Sequence, residues 1–370
     1  MENFDGKIAV ITGGGTGMGR ELTYQLAAEG CHVSICDVIE ENMEETFQEA
    51  SKKYPQVKIT VLTKAFTAPI FHNIANVSVF KADVKGRHKG ILGLWKLYRE
   101  LQLLQIDAVA DIHNVLRSSI LKQFFKLSGI PFVQLDKGRA EKKALINADR
   151  DVFKPLKSTF ERYAVVFGKL GYPIGKNEME TMSKKPMSND FATLLENHNR
   201  KVIGIAPFAA FKGKMYPLDL MQKVVLQLDS SESYKLVLFG GGTSEIEILT
   251  SWEKQFKNCI SAAGKLSFSE ELGLISNLDL MLAMDSGNAH LAAMYAVPTV
   301  TIWGVTHPYA GFSPFNQPDE NALLSDRNLY PAIPTSIYGN KHPEDYDKVM
   351  ETIKPETIVQ KIVDILKPTT

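Results

Sequence analysis

The 370-residue chain carries 42 Lys+Arg against 42 Asp+Glu, a formal net charge of zero, with 44% hydrophobic and 23% charged residues. That length exceeds one typical domain and can bury two cores, and the balanced charge supplies no global attraction for nucleic acid. Cys31, Cys36 and Cys259 match no zinc or iron–sulfur spacing, so a reducing compartment without a structural metal is expected. Residues 1–5 lack the basic and apolar regions of a signal peptide, and the longest apolar candidate, residues 291–305, is interrupted by Pro298. A cytoplasmic protein follows, free to work at the inner face of a membrane.

Residues 8–12 are a short apolar run ending at glycines and read as a buried parallel strand. A helix over 19–29 closes at Gly30, and a second strand over 31–36 ends at Asp37. A polar helix over 40–53 stops at Tyr54-Pro55, and a third strand covers 58–63. A helix near Pro69, a strand over 77–80, a helix over 93–103 and a strand over 108–112 follow. Residues 175–200 break this rhythm, and the polar stretch 184–189 places the interdomain linker there. Strands then recur at 202–206, 235–239, 280–284 and 299–303. Helices separate them at 218–228, 244–256, 269–276 and 289–295, and a last helix covers 355–366. Alternating strands and helices predict an α/β protein of two Rossmann-type, doubly wound parallel-sheet domains facing a cleft.

Three strand ends carry glycine-containing loops with candidate chemistry. The stretch from Thr12 to Gly19, with Gly13, Gly17 and Gly19, leaves a strand and opens a helix, where bare backbone and helix N–H groups can meet a pyrophosphate. Asp37 ends the next strand, about 20 residues on, where a carboxylate can take a ribose 2′-hydroxyl and favour NAD. Residues 4–38 resemble the opening of the short-chain dehydrogenases. That resemblance then stops: no Asn-Ala-Gly follows, and the Tyr-x-x-x-Lys at Tyr54 and Lys58 comes too early for that family's catalytic pair. The loop is therefore either an NAD site or a βα turn that holds no ligand.

The second constellation runs from Asp285 through Ser286, Gly287 and His290, between a strand and a helix. Backbone N–H groups at that helix start form an anion site, His290 can donate to a phosphate, and Asp285 can fix the loop or bind a ribose. Upstream, Lys214 lies after another strand end and can offset charge on a leaving diphosphate. Phe239 to Gly242 with Glu245 form a third glycine turn. Structural alternatives are a capping or core role for His290 and a solvated surface role for Lys214.

From about residue 54 to 345 the chain resembles glycosyltransferase family 9, the ADP-heptose:lipopolysaccharide heptosyltransferases. The family's Asp-(Ser/Thr)-Gly-x-x-His signature matches Asp285, Ser286, Gly287 and His290, and its Lys-x-x-Pro matches Lys214 with Pro217. The resemblance implies a GT-B fold whose C-terminal domain holds the donor, with Glu245 near the adenosine and Leu266 as an apolar nucleotide contact. Ala209 and Ala210 stand where that family often carries hydroxyls, a departure that removes two phosphate contacts. The implied activity is metal-independent, inverting transfer of a sugar, heptose by resemblance, from a nucleotide-diphosphate donor to a lipopolysaccharide-core-type acceptor, with no cofactor.

The expected organisation is an N-terminal Rossmann-like domain over 1–180, whose first 53 residues are the dehydrogenase-like segment. A linker over 181–200, a donor domain over 201–345 and a closing helical segment over 346–370 follow. Lys85, Arg87 and Lys89, with Asn114, Arg117 and Arg139, are the acceptor-side candidates, suited to an anionic or lipid-linked saccharide. The family's Gly-Asp loop, which carries its general base, is missing at the front, and strand order nominates Asp37 as a surrogate. Two other readings stay open: an NAD-dependent oxidoreductase, and a nucleotide-binding fusion without turnover.

Overall fold

The computed structural model describes residues 8–12, 17–30, 32–36, 58–72, 74, 76–147, 153–175, 181–196 and 200–367. The chain divides into two compact units, residues 1–82 and 83–370.

In the first unit, β1 (Ile8–Thr12) and β2 (His32–Cys36) pair in parallel, joined by α1 (Gly17–Ala28). Two residues past the helix, Gly30 takes a φ of 78°, the left-handed conformation that a helix stop favours. β3 (Ile59–Thr63) pairs in parallel with β4 (Val77–Lys81), and the connection holds a 3-10 turn, Ala65–Phe71, around Pro69. A proline ring removes an N–H donor, which favours this short turn over a regular helix. The expected helix over 40–53, its stop at Tyr54, and Asp37 lie outside the described residues, as does Gly13; Gly17 and Gly19 sit in the first turn of α1.

The second unit opens with α2 (Gly90–Gln102), whose buried Leu94, Leu97, Tyr98 and Leu101 follow the i, i+3, i+4, i+7 spacing of one helix face. It packs on α3 (Leu116–Leu127), where the rings of Tyr98 and Phe125 meet edge-to-face at 5.1 Å. Between and beyond these helices β5 (Val109–Asp111) and β6 (Phe132–Gln134) form a short parallel pair. α4 (Arg139–Leu145) and α5 (Thr159–Lys169) follow. α5 starts with a capping box: Ser158 Oγ accepts from the Glu161 N–H, and Glu161 accepts from the Ser158 N–H at 2.6 Å.

The stretch expected to be a bare linker holds α6 (Asn189–Glu196). Residues 182–188 are tied down before it: the Lys185 N–H donates to Ser276 Oγ at 2.9 Å, and Asn277 donates back to the Lys185 carbonyl at 2.8 Å.

The centre of the second unit is a six-stranded, all-parallel sheet. It contains β7 (Lys201–Ala206), β8 (Tyr234–Leu238), β9 (Cys259–Ser261), β10 (Leu280–Met284), β11 (Thr299–Trp303) and β12 (Ala322–Leu324), in the order β12-β11-β10-β7-β8-β9. Every residue of β10 and β11 is buried, so both faces of the sheet are covered, as continuous apolar runs require. Ile203, Ile205, Leu236, Leu238, Leu280 and Leu282 share a core with Val224 and Leu228 of α7 (Leu218–Ser230) and Trp252 of α8 (Thr243–Gln255). α9 (Phe268–Ser276) packs on α10 (Gly287–Met294), and α10 on β10 and β11. The closing helix α11 (Pro355–Leu366) packs on α7 and adds Ile358 and Ile362 to the same core. Short β9 and β12 at the two edges escaped the sequence pattern because three residues are too few to show a period.

Candidate active site

The strand order reverses between β7 and β10. Chain growth runs one way through β7, β8 and β9 and the other way through β10, β11 and β12. Loops leaving the carboxyl ends of two such neighbours diverge and open a crevice, the usual ligand site of an open parallel sheet. The loop after β7 carries Lys214 on a 3-10 turn, Lys212–Lys214, and the residue after β10 is Asp285. Across the crevice Lys214 Nζ meets Asp285 Oδ2 at 2.9 Å, with the two side chains only 15% and 7% exposed.

Three further contacts fix this pair. Thr306, buried just past β11, donates its hydroxyl to Asp285 Oδ2 at 3.0 Å. The Val305 N–H donates to the Gly213 carbonyl at 2.9 Å, so the turn carrying Lys214 is hung on the end of β11. Gly304 lies so close to that carbonyl that an added Cβ would stand 2.3 Å from it, which explains a glycine there.

Ser286 is the N-cap of α10, yet its hydroxyl makes no cap bond and lies buried with no hydrogen-bond partner. A buried hydroxyl beside the free N–H groups of a helix start is a group awaiting an acceptor. Gly287 begins that helix and is exposed. His290 comes one turn later and keeps a solvent-exposed edge, while the protein around its ring lowers its pKa by desolvation. The Lys214 ammonium pushes the same way and the Asp285 carboxylate opposes both. The net shift favours the neutral imidazole, which can donate through one nitrogen.

The other residues expected near a donor lie on loops that follow β7, β8 and β9. Glu245 Oε2 accepts from the Gly241 N–H at 2.8 Å and the Gly242 N–H at 3.4 Å, so its carboxylate shapes the turn after β8. Ala209 is half-buried and Ala210 exposed in the loop ahead of Lys214; both bring only backbone groups. Leu266 is half-buried in the segment before α9.

In the region expected to face an acceptor, Asp111, Asn114 and Gln134 come together at the ends of β5 and β6. Asp111 accepts from the His113 and Asn114 N–H groups at 3.0 and 2.8 Å and from Gln134 Nε2 at 2.9 Å. Burial raises its pKa, but the bonds from Gln134, Asn114, Ser118 and His113 together carry it below the ordinary carboxylate value. Asn114, at φ 45°, donates its amide to the Leu135 carbonyl at 2.7 Å, which commits it to holding this corner. Arg87 pairs with Glu100, and buried His88 lies 3.2 Å from the same carboxylate, so part of the expected basic cluster is neutralised. Lys85, Lys89, Arg117 and Arg139 are exposed. Thr306 escaped the sequence reading although it follows a strand end, the one signal that marks it.

Residues 94–337 match the family described as glycosyltransferase family 9 (heptosyltransferase). The chain belongs to that family. Residues 7–73 match the short chain dehydrogenase family, confined to the front of the chain. The lipopolysaccharide core heptosyltransferase OpsX of Haemophilus influenzae is 24% identical over 290 residues, covering 76% of this chain and 80% of that protein. Lipooligosaccharide heptosyltransferase 2 of the same organism is 26% identical over 343 residues, 86% of this chain and 94% of that protein.

Among solved structures, a glycosyl transferase family 9 protein from Veillonella parvula superposes with a TM-score of 0.63 at 18% identity, covering 99% of this chain and 98% of the other. The E. coli heptosyltransferase WaaC with ADP gives 0.56 at 16% identity, covering 97% and 99%. These likenesses establish the GT-B-like heptosyltransferase fold. Among the described residues no helix is long and apolar enough to cross a membrane.

Proposed function

We propose that this glycosyltransferase moves a heptose from an ADP-linked donor to an anionic, lipopolysaccharide-core-type acceptor. The observation that carries the reading is the Lys214–Asp285 bridge across the β7/β10 crevice, beside the unpartnered Ser286 hydroxyl at the start of α10. A diphosphate entering there meets an ammonium with protons to spare, a free hydroxyl and the N–H groups of Gly287 and its neighbours. The relatives named as heptosyltransferases, and the fold shared with a protein solved with ADP, support the choice of donor.

In the reaction the acceptor hydroxyl gives its proton to a carboxylate base as its oxygen attacks the anomeric carbon from the face opposite the diphosphate. The bond from that carbon to the diphosphate oxygen breaks, and the electron pair leaves on ADP. Lys214, the α10 start and His290 meet the charge developing on the leaving group. Asp285 and Thr306 keep Lys214 in place between turnovers. Glu245 and Leu266 flank the nucleoside, and Ala209 and Ala210 offer the phosphates backbone N–H groups alone.

Asp111 is a poor base because three donors already hold its oxygens and its pKa is lowered. Asp37 is our candidate for that role, and Lys85, Lys89, Arg117 and Arg139 are the exposed cations offered to the acceptor. Such an acceptor brings the enzyme to the membrane surface. Calorimetric titration with ADP tests the donor site: Lys214→Ala should weaken binding by about ten- to a hundredfold, as loss of a charge-assisted hydrogen bond implies. Unchanged affinity would remove the site from the crevice.

The parallel β1–α1–β2 unit supports a second reading, NAD at the front segment, independent of Lys214. Titration with NAD⁺ on the same two proteins decides it: binding that ignores the lysine supports the reading, and no binding ends it.

A further inference from the structure

The turn that carries Lys214 is gripped by a segment largely beyond the residues matched to the family, which end at 337. The segment begins where the Thr335 N–H donates to the Val305 carbonyl at 3.0 Å. Ser336 Oγ, buried, accepts from the Gly339 N–H at 3.0 Å and closes a tight turn. Gly339 sits at φ 76°, and a Cβ built on it would lie 2.3 Å from Cγ and 2.5 Å from Cδ of Lys214. The lysine stem therefore runs across the bare face of this glycine.

Three residues further, His342 Nε2 lies 2.8 Å from Asp347 Oδ1, and Asp347 Oδ2 takes Lys212 Nζ at 3.3 Å. Lys212 opens the same 3-10 turn that Lys214 closes. Gly213 between them has no spare room either: an added Cβ would stand 2.6 Å from Val305 Cγ2 and 3.1 Å from His342 Nδ1.

We propose that residues 335–347 are a positioning seat for Lys214, in which Gly339 sets the path of the lysine stem and the His342–Asp347–Lys212 chain anchors its turn, so that the ammonium is preorganised for a donor diphosphate. None of these residues touches the donor; each acts through Lys214. The inference rests on the reading of Lys214 as the diphosphate lysine. Its physical logic is that a long, flexible side chain loses several rotamers when it grips a ligand, and a seat that has already removed them raises affinity without a new contact.

The experiment is a double-mutant cycle read by ADP calorimetry, with Gly339→Ala and Asp347→Ala each made in the wild-type and Lys214→Ala backgrounds. Gly339→Ala should weaken ADP about tenfold in the wild type and change it less than twofold once Lys214 is gone. Asp347→Ala, at an exposed position that the fold tolerates, should show the same dependence at a few-fold effect. A second readout needs no donor. Acetylation of Lys214 by an amine-reactive ester, followed by peptide mapping, should be slow in the wild type because the side chain is 15% exposed and its ammonium is paired. It should speed up severalfold in both variants, with melting temperatures recorded alongside. Equal losses of ADP affinity in the two backgrounds, or acetylation unchanged by either variant, would overturn the seat. Accelerated acetylation with ADP binding indifferent to Lys214→Ala would instead keep the seat and sink the donor-site reading.

Discussion

Thr306→Val removes one hydroxyl and keeps the shape of the side chain. Thr306 is 2% exposed and Asp285 7%, so the lost bond lies in a nearly dry environment. A hydrogen bond to a charged group contributes about 1.5–3 kcal/mol, and the added methyl returns about 0.8 kcal/mol of apolar burial. The net loss is on the order of 1–2 kcal/mol, or roughly 2–8 °C in the melting of a domain of this size. Asp285 Oδ2 then has Lys214 as its remaining partner from this set, and the ammonium is held harder against the carboxylate. ADP must compete with that grip, so its affinity should fall a few-fold. Differential scanning calorimetry and ADP titration of the variant read the two effects. A melting temperature within 1 °C of wild type together with unchanged ADP affinity would refute the claim that Thr306 holds Asp285.

Four other outcomes are expected. Burial pushes the Cys259 thiol pKa up to about 12, so peptide mapping should find it unalkylated by iodoacetamide at pH 8 in the folded protein and alkylated in urea. Gln134→Ala takes away the side-chain donor that most lowers the Asp111 pKa. A carboxyl with a depressed folded pKa contributes stability above its unfolded pKa and loses it as the pH falls through the folded value. The variant's acid-unfolding midpoint should therefore move to higher pH, as followed by circular dichroism. NMR titration should show the His290 ring less than half protonated at pH 6.5, since its pKa is lowered from the ordinary value. Glu245→Ala frees the Gly241 N–H from its acceptor and should lower stability by about 1 kcal/mol in thermal melts.

The β7, β10 and β11 strands were legible because each is a continuous apolar run between turn residues, and the Lys214 and Asp285–His290 motifs were legible from their position at strand ends. What joins them was not. The strand order that makes β7 and β10 neighbours depends on long-range pairing, which no local pattern records. Gly339 looked like an ordinary loop glycine, because its role comes from a lysine stem passing over it. Arg87 looked like part of an open basic patch until Glu100, on the next helix, claimed it. Nothing local in the sequence shows that the Asn114 side chain also holds the β5–β6 corner through the Leu135 carbonyl. Charge and amide groups are ambiguous in sequence for this reason: a nearby residue can absorb them before any ligand arrives.

Building β7 beside β10 also has a consequence for synthesis. During translation, β7, β8 and β9 are the first strands of this sheet to emerge and can pair, yet half of the crevice is still missing. Asp285 and Ser286 arrive only with β10, Thr306 after β11, and Gly339 and Asp347 later still. A nascent chain therefore exposes Lys214 without its counter-charge until β10 has been made. A chain shortened to before Gly339 should therefore form the sheet yet grip a nucleotide weakly, because the groups that seat Lys214 and its turn are made after the last strand.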